Sequence, residues 1–160
     1  MVFSIRLLLL LIGLCTITAC GGDYEAELLA ERWSKHDWSQ NQPELWLDIN
    51  NDGEQERALV GFGTRTVLVA VLIEDEVEQV DFVEFFINKP SQQNALCSAK
   101  GQLAIEAQDD SLVEQFGENP EGFKSCQNCQ GLVLKDFAGT CSPFHIYWDH
   151  KNQMLSWWRN

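Results

Sequence analysis

Thr66-Val67-Leu68-Val69-Ala70-Val71-Leu72-Ile73 is an almost unbroken apolar run. A strand that alternates apolar and polar residues covers one face. A run apolar at every position suits a central strand covered on both. Its neighbours read the same way. Residues 57–63 form one strand before it. After a turn at Glu74-Asp75-Glu76, residues 78–87 form another. In that strand Val80 and Phe82 are in one phase, and Val83, Phe85 and Ile87 in the other, so a β-bulge is expected between Phe82 and Val83.

Further strands are expected at 45–47, 102–108, 132–136, 144–148 and 154–159. A turn at Ala138-Gly139 separates two of them. A four-residue loop, 149–152, would pair Ile146 with Leu155 and Phe144 with Trp157, putting all four on one face. A helix is expected over 23–37, where Leu29 and Trp33 share a face, followed by a polar loop over 36–43. Ser111 to Glu114 has the form of a capping box, and Gly117 that of a helix stop. The expected fold class is α+β: a mainly antiparallel β-sheet with one or two short helices packed on it.

The chain opens with one positive charge, Arg6, and a short apolar core from Leu7 to Leu14. This is the layout of an export signal. The core is shorter than the roughly 20 apolar residues that a permanent span needs. It ends in Ile17-Thr18-Ala19-Cys20, which resembles the lipobox of bacterial lipoproteins. The resemblance implies cleavage before Cys20 and acylation of that residue. It also implies an outer-membrane anchor on the periplasmic side, because Gly21 stands where an Asp would favour inner-membrane retention. Several acyl chains together make a stable anchor.

On that reading residues 1–19 are a signal peptide, and 20–160 form one small periplasmic domain. Removing 19 residues from 160 leaves 141, enough for one domain with a core. Ten Lys and Arg then face 24 Asp and Glu, a net charge of −14. Such a surface repels nucleic acid and favours a basic protein or a cation as partner.

Cys97, Cys126, Cys129 and Cys141 remain after Cys15 is removed and Cys20 acylated. An even number in an oxidising compartment argues for two disulfides. Three pairings are open, and the sequence does not choose between them. Cys97 with Cys126 and Cys129 with Cys141 is preferred, because it avoids the tight Cys126–Cys129 loop. Cys126, Cys129, His145 and His150 have Cys2His2 zinc spacing, but Cys141 lies between the pairs and His145 sits in a strand pattern. A redox Cys-x-x-Cys is expected at the start of a helix, whereas here a strand pattern follows.

The most specific constellation is Asp48-x-Asn50-x-Asp52-Gly53-x-x-Glu56. Alternate oxygen side chains with a glycine at the sharp turn can wrap a hard cation such as calcium. The stretch resembles the short calcium loops of FG-GAP-type β-repeats. That resemblance implies Asp48, Asn50, Asp52 and Glu56 as side-chain ligands and the Glu54 carbonyl as a backbone ligand. The competing reading is an Asn-Asp-Gly turn with solvated acids. On the outer face of the last hairpin, Trp158 beside Tyr147 is a candidate binding surface.

Neither Gly-x-Ser-x-Gly nor His-Glu-x-x-His occurs. The expected function is therefore a non-catalytic binding or structural module, lipid-anchored in the envelope. Its general build is similar to that of inhibitors and immunity proteins against enzymes that attack the cell wall. The alternative is a thiol–disulfide or hydrolytic enzyme.

Overall fold

A computed structural model describes residues 22–38, 42, 44–73, 79–89, 92–117, 119–137 and 141–159, and the side chains of all of these but 22–25 and 116. The lipobox and the turns expected at 74–76 and 138–139 lie outside the described residues. Among the described residues the chain is mainly antiparallel β with two short helices, the α+β class expected from its sequence. Its strands form two sheets.

The first sheet holds β1 (His36–Asp37), β2 (Leu45–Leu47), β3 (Glu56–Gly63), β4 (Thr66–Leu72), β5 (Val80–Ile87) and β6 (Ala95–Leu96). Its order is β1-β3-β4-β5-β6, with β2 also on β3. The second holds β7 (Gly101–Ala107), β8 (Gln130–Asp136), β9 (Phe144–Asp149) and β10 (Met154–Trp158), in the order β10-β9-β8-β7. All pairings are antiparallel except β5 with β6.

Period-two alternation sends one set of each strand's residues between the sheets. Val60, Val69 and Val83 stand in one cross-strand row of the first sheet, and Phe62, Val67 and Phe85 in the next. Leu103, Leu134 and Phe144 form a facing row in the second. Together with Leu47, Ile49, Ile146, Trp148 and Leu155 they make the main core.

The other face of β4 is covered as well, as its unbroken apolar run requires. Leu29 of α1 (Gly22–Arg32) meets Leu59, Ala70 and Leu72 there, flanked by Trp33, Trp38 and Val80. Trp38 lies so close to Gly61 that a Cβ at that position would stand 2.7 Å from its ring. On the far side of the second sheet, α2 (Asp110–Phe116) brings Leu112 onto Phe123 and Tyr147.

Four local expectations are corrected. The helix stops at Arg32, and His36 and Asp37 pair with Gly63 and Phe62 as β1. No bulge interrupts β5, since its register with β4 runs unbroken from Leu72↔Val80 to Thr66↔Phe86. The phase change has another cause: Val83, Phe85 and Ile87 face the second sheet, while Val80 and Phe82 face the α1 side, where Phe82 meets Trp33. In the last hairpin the register is displaced by two, so Ile146 faces Trp157 and Trp148 faces Leu155. A two-residue slip preserves the face, and Phe144, Ile146, Leu155 and Trp157 do share the core side. Lastly, α2 is capped by Asp109 rather than Ser111, its carboxylate accepting from the Ser111 N–H at 3.0 Å. Gly117 ends it at φ 77°, as expected.

Two side chains hold the periphery. Asp149 accepts from the N–H groups of Lys151 and Asn152, fixing the β9–β10 turn. Gln42 acts as a short substitute for a strand beside β7: its amide donates to Gly101 O at 3.1 Å and accepts from Leu103 N at 3.4 Å.

Candidate functional site

The acidic turn joins β2 to β3 at one end of the sandwich. Its backbone bends through left-handed conformations at Asn51 (φ 60°) and Gly53 (φ 98°), so the side chains that precede them fold inward. Asp48 accepts from Asp52 N at 3.0 Å through Oδ1 and from Gly53 N at 3.1 Å through Oδ2. Asn50 Oδ1 accepts from Asp52 N at 2.9 Å, and its amide donates to Asp52 Oδ2 at 2.7 Å. Asp52 Oδ1 accepts from Glu54 N at 2.8 Å. Glu56 opens β3 and is 2% exposed, and its Oε2 accepts from Ile49 N at 2.8 Å.

Oxygen atoms of Asp48, Asp52 and Glu56 lie within 4.8 Å of one another. Asn50 is tied to this cluster by hydrogen bonds, whereas Glu54 is exposed and joins through its N–H. Burial pushes the Glu56 carboxyl above the usual carboxylate range. The Ile49 N–H opposes this, and the charges of Asp52 and Asp48 push it further up. A bound cation would act the other way, favouring the ionised form. Each carboxylate oxygen has more than one acceptor site, so the turn's hydrogen bonds need not be given up to face a cation.

The four cysteines form two disulfides, but not with the expected partners. Cys97 is bonded to Cys141 and Cys126 to Cys129, with Cα separations of 5.8 and 5.1 Å. The short loop is accommodated by a turn in which Cys129 N donates to Cys126 O. Both ends of that turn are fixed to Gln108, through Cys126 N to Gln108 O and Gln108 N to Cys129 O. With Cys126 and Cys129 bonded to each other, the zinc spacing has no thiolates to offer. The pair precedes β8, as the strand pattern indicated, and lacks the helix start that activates such a thiol.

Tyr147 is not a binding surface. It is 5% exposed, because Phe123 packs edge-on against its ring, and its hydroxyl donates to Glu121 O. Trp158 is half-buried and stacks on Phe123 with ring centroids 5.0 Å apart. A pairing missed in the sequence lies beside it on the same face: His145 Nδ1 stands 2.9 and 2.8 Å from the two oxygens of Glu106. The partners are 39 residues apart, so no local spacing announces them.

Fold and site together define a two-sheet sandwich domain with helices on its outer faces and an acidic turn at one end. No family model, no curated protein and no solved structure matches the chain.

Proposed function

We propose that the chain is a lipoprotein of the bacterial envelope, held at the outer membrane through Cys20, whose domain works by binding rather than by catalysis and whose acidic turn takes a calcium ion. The observation that carries the metal is the convergence of Asp48, Asp52 and Glu56, residues that lie up to eight positions apart in sequence and within 4.8 Å in space. Oxygen ligands alone suit a hard cation, and calcium tolerates the irregular geometry of such a turn better than magnesium does. The ion would fix the entry to β3 rather than do chemistry. The binding role draws on the net charge of −14, which favours a basic protein partner in the envelope. Inhibitors and immunity proteins share this general build, a likeness of class.

Calcium is expected to stabilise the chain by mass action. Extracellular sites bind with Kd of about 0.1–1 mM. At 10 mM calcium the gain is then about 1.4–2.7 kcal/mol. Thermal melts with and without 10 mM calcium would show it as a rise in Tm. Asp52→Ala should abolish the rise and leave both disulfides intact. A Tm unmoved by calcium in the parent chain would leave the turn as a self-bonded turn only.

Anchoring has its own test. Fatty-acid labelling of cells should mark the parent chain and not Cys20→Ser. Label kept by the variant would remove the lipoprotein reading.

A further inference from the structure

Among the described residues a cleft of about 750 Å3 lies beyond α1 on the outer face of the first sheet. This is within the 300–1,000 Å3 typical of small-molecule sites. Gly63 and Thr66 form its floor at the β3–β4 turn. A Cβ at Gly63 would stand 2.9 Å from His36 Nε2 and 3.0 Å from Thr66 O, so a glycine there lets the imidazole lie close against the turn. His36 is itself held by Thr66 Oγ1 at 3.0 Å. Lys35 and His36 form one wall, Phe86 and Lys89 the other, and Arg65 the rim.

The chemistry of the lining runs against that of the molecule. Lys35, Arg65 and Lys89 converge on this one cleft in a chain with 24 acids. Among the described residues none of the three makes an ion pair. Two of them are held in part, Arg65 through its backbone and Lys89 through its ammonium. The Arg65 carbonyl accepts from Ile87 N at 2.9 Å, fixing the rim to β5. Asn88 turns the chain at φ 57°, and Lys89 Nζ lies 4.1 Å from the centre of the Phe86 ring. Among the described residues Glu84 is the one acid lining the cleft, leaving a local surplus of two positive charges there.

Three like charges around one cleft, offset there by the single carboxylate of Glu84, repel one another, and an anion entering between them relieves that repulsion. Size selects the kind of anion. Screening acts over about 8 Å at physiological ionic strength, so a small ligand inside the cleft feels mainly these three cations and Glu84, a net positive set. A membrane or a nucleic acid would meet the acidic surface around it. We infer that the cleft bounded by Lys35, Arg65 and Lys89 binds a small soluble anion bearing at least two negative charges, of the phosphate-ester or polycarboxylate type. This site is separate from the acidic turn and does not depend on calcium or on the anchor.

The test uses pyrophosphate and citrate as probes, titrated into the full chain without divalent cations and followed by amide NMR. Saturable shifts confined to residues 35–36, 63–66 and 84–89 are expected with at least one probe. Arg65→Ala with Lys89→Ala should weaken binding tenfold or more. Lys135→Ala, a substitution of an exposed lysine on β8, should leave it unchanged. Parent-like melting of the double variant separates lost binding from lost fold. If the double variant melts early, Arg65→Gln alone, which keeps the length of the rim side chain, should still weaken binding severalfold. The inference is overturned by shifts that do not saturate, by shifts spread over all lysines, or by affinity indifferent to these substitutions. Binding to vesicles of anionic phospholipid with no response to either probe would also overturn it, in favour of a membrane headgroup.

Discussion

Replacing Cys97 and Cys141 together with alanine is expected to cost the domain about 4 kcal/mol, by the loop-entropy relation for a closed loop of this size. The bond spans 44 residues and joins the segment after β6, in the first sheet, to the segment before β9, in the second. Reduced and unfolded, the chain regains the freedom of that whole loop. Arg159 supports the same region from the folded side, donating to Gln93 O at 2.9 Å and Ala95 O at 2.7 Å. Cys126–Cys129 closes a separation of only 3, and its removal should cost about 2 kcal/mol by the same relation. Urea unfolding of the two double variants measures both numbers. Equal losses would mean that the long bond is not the principal staple.

Phe144→Ala should cost about 3–5 kcal/mol, the range for emptying a fully buried aromatic site. Phe144 is entirely inaccessible, and its ring centre lies 4.0 Å from that of Phe85 across the two sheets. Trp157 meets it edge-on at 5.4 Å, and the Arg159 guanidinium stands 4.7 Å from its ring centre. Three groups therefore lose a neighbour at once, and the sandwich cannot close around the gap without moving a sheet. Phe144→Leu keeps much of the volume and should cost roughly half as much or less. Against a total stability of about 5–15 kcal/mol for an ordinary domain, the alanine variant would sit near its unfolding threshold. A loss below about 1 kcal/mol in the urea midpoint analysis would contradict the sheet-on-sheet contact at this point.

What could be read from the sequence was local. The apolar run at 66–73 announces a strand covered on both faces, and α1 and the second sheet supply the two covers. The acidic turn is legible because its members lie within nine residues, and a left-handed Gly53 closes it. The last hairpin shows the limit: alternation identifies the face of Ile146 and Trp157, but a slip of two leaves alternation unchanged, so the pairing itself stays open. In β5 the same alternation misleads, because apolar residues on both faces of a strand look like a register break in one dimension. Cys97 finds Cys141 only through the meeting of two sheets, and β6, two residues long, has no pattern to detect. The basic cleft is the extreme case. Lys35, Arg65 and Lys89 come from three separate turns, and overall charge points the opposite way.

Gln42 bears on how the molecule behaves in crowded company. Most margins of the first sheet are blunt, since β1 and β6 have two residues each and β2 has three, too few to recruit a foreign strand. The seven residues of β7 are a longer invitation. By occupying the carbonyl of Gly101 and the N–H of Leu103, one amide side chain shortens that invitation to the stretch near the exposed Ile105. If the proposed lipid anchor gathers the chain at a membrane, it meets copies of itself far more often than a chain free in solution. Under those conditions, keeping the molecule from growing into a ribbon of its own copies rests in part on a glutamine that contributes nothing to the core.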